Sequence, residues 1–165
     1  MDGGWAVDAQ LGQQTRAHAD LDIAMAEAHV LRLRELLTSR GYQERLRDDT
    51  WEYNFVLADP QGREIDVHSY TLDDDGNNIH GVPYRREQLT GRGSINGYPV
   101  RCISPECLVK FHTGYELDHN DFHDVRALCA RFEIALPDEY RREPESGCRP
   151  LVALIEPCVK VMRRR

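Results

Sequence analysis

The sequence predicts an α+β fold, a small mixed β-sheet with flanking helices that ends in a C-terminal helical pair. Three observations carry this reading. Residues 20–25 alternate as a strand does, and residues 27–40 then switch to helical spacing. Two further strand-like runs, 52–58 and 63–70, flank the turn sequence Asp59-Pro60-Gln61-Gly62 and so form a hairpin. Beyond residue 104, two stretches repeat apolar residues at helical period. At 165 residues the chain has the length of one domain. We divide it into a domain at 1–142 and a tail at 143–165.

Gly3 and Gly4 open an apolar-periodic stretch with Trp5, Val7 and Leu11, closed by Gly12; it reads as a short helix after a glycine turn. Asp20-Leu21-Asp22-Ile23-Ala24-Met25 is the first strand. In 27–40, Val30, Leu33, Leu36 and Leu37 recur at helical spacing, and Gly41 is placed to cap the C-terminus. The hairpin comes next. Residues 71–97, rich in Asp, Asn and Gly, read as one long loop, and long loops inside compact domains are often functional. A short strand follows at 99–103. Ser104-Pro105 then starts a helix with a hydroxyl at the N-cap and proline at the first helical position. The last helix begins near Asn120 or Asp121 and turns Phe122, Val125, Leu128, Cys129 and Phe132 inward. After Arg142 the composition changes to Glu-Pro-Glu-Ser-Gly, then to an apolar piece and three terminal arginines.

Hydrophobic residues at 41% are enough for a core, so the chain is not a disordered segment. Its net charge of −7 argues against a nucleic-acid partner, which calls for a basic patch, and suits a cationic or metal-bridged ligand. No signal peptide is recognisable, and no apolar run reaches the roughly 18–20 residues of a membrane span. A cytoplasmic protein is expected. Five cysteines without a CxxC pair indicate neither a disulfide framework nor a zinc ribbon.

Asp20 and Asp22, at i and i+2 on a strand, emerge on one face while Leu21 and Ile23 point to the core. Two charges about 6 Å apart repel by roughly 3 kcal/mol at an effective dielectric of about 20. A divalent cation relieves that repulsion, and Mg²⁺ suits carboxylates shared with substrate phosphates; full solvation relieves it too. Asp66 lies in Glu64-Ile65-Asp66-Val67-His68 with His68 on its own face. If this strand neighbours the first, three carboxylates converge, and Asp66 is placed to take a proton from an attacking hydroxyl. Glycines at a helix N-terminus let backbone N–H groups approach phosphate oxygens.

Taken in order, these residues resemble a family signature. Gly3-Gly4-Trp5-Ala6-Val7-Asp8-Ala9-Gln10-Leu11-Gly12 leads to Thr15-Arg16-x-His18-x-Asp20-Leu21-Asp22-Ile23. Ile65-Asp66-Val67-His68, Pro99-Val100-Arg101-Cys102-Ile103-Ser104, Phe111-His112-Thr113-Gly114-Tyr115-Glu116 and Asp121-x-x-Asp124-Val125 follow. The pattern is similar to that of the lincosamide nucleotidyltransferases and aminoglycoside 2″-adenylyltransferases, antibiotic-modifying members of the DNA polymerase β-like superfamily. The Phe111–Glu116 stretch favours the lincosamide branch.

The resemblance implies that Asp20 and Asp22 hold magnesium, two ions in all, and that Asp66 shares a metal and serves as the base or sits beside it. Gly3 and Gly4 would cradle the triphosphate, with Arg16 as a further phosphate contact; Lys110, one of two lysines, is read from its charge alone as a triphosphate contact or a solvated helix position. His68, His112, Tyr115 and Glu116 would line the nucleotide or drug pocket. ATP or GTP is the implied co-substrate. The reaction implied is in-line attack of a drug hydroxyl on the α-phosphorus with release of pyrophosphate, a chemistry of positioning and charge neutralisation. An acidic cleft also attracts the protonated amine of such a drug. Two departures stand out: the helix that family members carry before the Gly-Gly turn is expected to be missing, and the tail has no counterpart. They leave an alternative, a truncated or degenerate protein that binds nucleotide or a partner without turnover. The intact Asp20, Asp22 and Asp66 favour catalysis.

Overall fold

The computed structural model describes residues 1–141, so the expected tail at 143–165 lies outside the described residues. Seven strands are described: β1 (Asp20–Ala26), β2 (Gln43–Arg45), β3 (Asn54–Ala58), β4 (Glu64–Leu72), β5 (Asn78–Gly81), β6 (Gly91–Ile95) and β7 (Tyr98–Cys102). The helices are α1 (Gly3–Leu11), α2 (Val30–Thr38), α3 (Pro105–Phe111) and α4 (His119–Phe132). The main sheet runs β1-β4-β3-β2, with β5 on the far part of β4. β1 is parallel to β4, and every other pairing is antiparallel. The expected mixed sheet is therefore present.

Strand alternation sorts this sheet into two unlike faces. Phe55, Leu57 and Val67 are buried on one, where Ile23, Ile65 and α2 residues Val30, Leu33 and Leu37 cover them. Full burial of each such side chain contributes about 1.5–3 kcal/mol. The other face carries Asp20, Asp22, Glu64, Asp66 and His68 in adjoining rows, because Asp22 stands opposite Asp66 in the β1–β4 register.

A larger core joins α1, α3 and α4 to the β6–β7 hairpin, with Ala6, Val7, Leu108, Val125, Leu128 and Tyr140 all fully buried. α1 starts one step earlier than expected. Asp2 is its N-cap and accepts from the Gly3 N–H at 2.8 Å, so the two glycines are the first helical residues rather than a turn ahead of them. Ser104 caps α3 as expected, and Asp118 caps α4 in a reciprocal box with Asp121.

The single long loop at 71–97 needs correction, because it contains β5, a 3₁₀ turn at Arg86–Thr90, and β6. β6 reads Gly-Arg-Gly-Ser-Ile and shows no apolar alternation, so it gave no periodic signal. Its pairing is directed by Asn96-Gly97, whose φ values of 49° and 82° make the two-residue hairpin turn that this dipeptide favours. β2, exposed at every position, was invisible for the same reason. Cys102, Cys107 and Cys129 are free thiols.

Candidate active site

The site is built where α1 begins and β1 and β4 run side by side. A parallel register placing Asp22 beside Asp66 sends both carboxylates out of the same sheet face. With His68, two residues further along β4, each offers one ligand atom, and all three atoms lie within 4.8 Å of one another. Asp20 adjoins this group and adds negative potential at both carboxylates, but it is not one of the three. Burial, reinforced by Asp20, pushes the Asp22 carboxyl up to about 7. Asp66 is also raised by burial, an effect that His68 and Arg47 temper.

The Asp66 Oδ1 atom is buried and has no hydrogen-bond partner. A buried polar atom left unpaired costs on the order of 1–3 kcal/mol, more if charged. Crowded carboxylates with a buried, unpartnered oxygen fit a divalent cation, which neutralises them and completes the missing contact. Arg47 compensates only in part: it pairs with Glu64, which also takes Arg45, and stays 3.7 Å from Asp66.

The glycines sit against this cluster for two different reasons. Gly3 has φ +58°, and a Cβ there would lie 2.0 Å from Asp22 Oδ2. Only glycine lets the helix start come down onto the carboxylate. A Cβ on Gly4 would instead meet Arg16 at 2.1 Å and His18 at 2.7 Å, so Gly4 admits the loop that joins α1 to β1. Gly3→Ala is accordingly expected to displace Asp22 and weaken divalent-ion binding by at least tenfold, the scale seen when a supporting contact at a metal site is lost. Titration calorimetry with Mg²⁺ checks this, and unchanged affinity would show that Asp22 is not an ion ligand.

Arg16, expected at the phosphates, pairs with α4. Its guanidinium forks onto Asp124, with Nε at 2.9 Å from one oxygen and Nη2 at 2.6 Å from the other. Asp124 is 1% exposed, so the pair ties the 12–19 loop to the helical core. Beside it, buried Asp8 meets His18 at 2.5 Å and accepts from Thr15. Arg16→Met should lower stability by about 3 kcal/mol, since it leaves the buried Asp124 carboxylate with the half-exposed His123 ring in place of a two-point guanidinium contact. Thermal or urea unfolding reads that loss, and an unchanged midpoint would refute the structural role.

The remaining expected residues divide. His68 stands beside Asp66, with Nε2 3.5 Å from Oδ1. Burial works against its charged form, but the neighbouring Asp2 and Asp66 carboxylates outweigh that and raise its pKa to about 9. His112 belongs to the helical core: it is 7% exposed, its Nδ1 lies 2.7 Å from the Leu108 carbonyl, and its own carbonyl accepts from Tyr140. Tyr115, 37% exposed, donates to Asp121 Oδ1 at 2.8 Å. Glu116 and Lys110 are exposed at and beyond the end of α3.

Sequence reasoning missed Asp2, Tyr84 and Arg47. Asp2 is buried, and its carboxylate is held below the usual range by His68 and Tyr84 although burial opposes this. An N-cap residue just before Gly-Gly was a legible signal for Asp2. Tyr84 fell within the supposed loop, and nothing in the sequence marked Arg47.

A carboxylate pair on parallel strands, directly under a glycine-started helix, suits a divalent ion shared with phosphate oxygens. The chain belongs to the aminoglycoside-2″-adenylyltransferase family, whose model matches residues 1–128. It is 30% identical over 134 residues to the lincosamide resistance protein of Staphylococcus haemolyticus, covering 78% of this chain and 81% of that one. It is 31% identical over 110 residues to the 2″-aminoglycoside nucleotidyltransferase of Escherichia coli, but that match covers 65% of this chain and 58% of the enzyme's length. Among solved structures, the lincomycin-bound lincosamide antibiotic adenylyltransferase LnuA superposes with a TM-score of 0.66 at 26% identity, covering 81% of this chain and 85% of that one. The complex of ANT(2″)-Ia with adenylyl-2″-tobramycin gives a TM-score of 0.62 at 22% identity, with 79% and 77% covered, and shares the fold. No helix among the described residues is long and apolar enough to cross a membrane.

Proposed function

We propose that this protein transfers a nucleoside monophosphate from ATP or GTP to a hydroxyl of a lincosamide antibiotic, releasing pyrophosphate. The observation that carries the reading is the Asp22–Asp66 register, with the buried, unpartnered Asp66 Oδ1. The relatives support the antibiotic as acceptor. The greater share of the lincosamide resistance protein that the chain covers supports the lincosamide branch over the aminoglycoside branch.

Asp22 and Asp66, with Asp20 beside them, would hold Mg²⁺, which supplies charge neutralisation to the triphosphate when bound. The positive end of α1, with the Gly4 N–H beyond the Asp2-capped Gly3, would orient the phosphates. Asp66 accepts the proton of the drug hydroxyl as its oxygen forms a bond to the α-phosphorus. The bond from that phosphorus to the bridging oxygen breaks, and pyrophosphate leaves with the electron pair. Glu116 and Tyr115 lie in an exposed segment open to a drug.

Pyrophosphate release with ATP or GTP, Mg²⁺ and a panel of lincosamides and aminoglycosides tests the proposal. Release that requires a lincosamide is expected. Release with aminoglycosides alone would move the acceptor to the other branch, and release with no drug in the panel would end the reading.

A further inference from the structure

We propose that Arg47 is a catalytic residue of this site, a guanidinium that contacts the α-phosphate of the nucleotide and neutralises its charge during transfer. This rests on the nucleotidyl-transfer reading above and adds to it a protein cation beside the carboxylates.

The order of groups across the sheet gives Arg47 its place. Asp22, Asp66, Val56 and Arg45 stand in one row, because the β1–β4, β4–β3 and β3–β2 registers align them. The start of α1 comes down on the Asp22 end of that row, where Gly3 lies against the carboxylate. Arg47, two residues past the end of β2, reaches back from the other end. Its Nη1 lies 3.7 Å from Asp66 Oδ2, and its Nη2 pairs with Glu64. The carboxylate pair thus has the positive end of a helix on one side and a guanidinium on the other.

Charge leaves Arg47 available. Glu64 is already paired with Arg45, so its single charge does not require both guanidinium groups. At 3.7 Å the approach to Asp66 is too long for a hydrogen bond. With a cation bound at Asp66 that attraction ends, and Glu64 remains the tether that keeps Nη1 over the site.

Reach decides which phosphate it meets. Adjacent oxygens around one octahedral ion are about 3 Å apart. A phosphate oxygen sharing an ion with Asp66 therefore lies beside its carboxylate, and Nη1, 3.7 Å from that carboxylate, closes on it by side-chain rotation. In-line attack puts the leaving pyrophosphate opposite the acceptor hydroxyl. With pyrophosphate toward α1 and the hydroxyl at Asp66, the phosphorus between them is the α-phosphorus. Arginine suits this place, since its planar fork takes two phosphate oxygens and keeps its charge at any working pH. No proton passes through Arg47; it holds charge on the non-bridging oxygens while the bond to pyrophosphate breaks.

The test compares three variants of the full chain in binding and in turnover. The first probe is the ATP analogue with a methylene bridge between its α- and β-phosphorus. Arg47→Met should weaken its magnesium-dependent binding by about tenfold in calorimetry, the scale of a lost charge-assisted hydrogen bond. Binding of magnesium pyrophosphate, which has no α-phosphate, should be unchanged. Turnover with lincomycin should fall by roughly 10²–10³-fold, as when one preorganised donor to a transition state is lost, while the KM for the drug stays level. Arg47→Lys should recover part of both losses. Arg45→Met removes the same charge from the same Glu64 and should cost no more than a few-fold. Equal losses in Arg45→Met and Arg47→Met would overturn the contact, because charge alone would then account for them. Pyrophosphate binding that falls as far as analogue binding would overturn the assignment to the α-phosphate. Unchanged binding and turnover in Arg47→Met would overturn the proposal and leave the nucleotidyl-transfer reading standing. A wild type that binds neither the analogue nor pyrophosphate would overturn both.

Discussion

Asp66→Asn is expected to lower turnover by roughly 10²–10⁴-fold, the usual worth of a general base. The substitution keeps the shape of the side chain and one carbonyl oxygen, but it removes both the charge and the capacity to accept a proton. Asp66 is central in β4, paired with β1 on one side and β3 on the other, so the backbone holds its position in the variant. Nucleotide affinity should fall much less than turnover, because the amide oxygen of the substituted side chain can still contact the ion that Asp22 holds and the start of α1 is unchanged. Single-turnover rates and nucleotide titrations separate the two effects. Undiminished turnover would remove Asp66 as the base.

Asp22→Asn should instead impair divalent-ion and triphosphate binding together, by one to two orders of magnitude, the scale for a disturbed metal site. Its carboxylate is the one that Gly3 approaches and the one that burial and Asp20 raise to about 7. The same residue makes the metal-free protein pH-sensitive. The folded pKa lies above the unfolded value, so between these pH values the folded state binds more protons. This contribution is present at low pH and is lost as pH rises from about 4 through about 7. Asp22→Asn should flatten that decline in the melting temperature and also abolish the stabilisation by added Mg²⁺. A retained Mg²⁺-dependent rise in melting temperature would contradict its role.

Most of the candidate site was legible because strand chemistry is periodic. Alternation placed Asp20 and Asp22 on one face and Asp66 with His68 on another strand's polar face, and the register then joined them. What the sequence did not carry was the partnering of charges distant along the chain. Arg16 reads as a phosphate contact, and nothing around it in the sequence points to Asp124, 108 residues away, with which its guanidinium pairs. His112 on an apolar helix face gives no sign of its partners in sequence, and Tyr140, whose hydroxyl donates to the His112 carbonyl, lies 28 residues away. The sequence gives no sign of the fold where side chains lack period, at exposed β2 and glycine-rich β6, although Asn96-Gly97 is a local hairpin signal. Tyr84 lies in that same aperiodic stretch, so its place beside Asp2 and His68 carries no signal in sequence.

The most direct measurement follows the atom that is transferred. The protein is incubated with Mg²⁺, ATP labelled at the α-phosphorus and lincomycin, and the drug is recovered and analysed by mass spectrometry. The account predicts labelled adenylyl-lincomycin with one pyrophosphate released per molecule, formed roughly 10²–10⁴-fold more slowly by Asp66→Asn. Unmodified lincomycin from a protein that binds magnesium–ATP, with GTP and the other drugs equally inert, would contradict it.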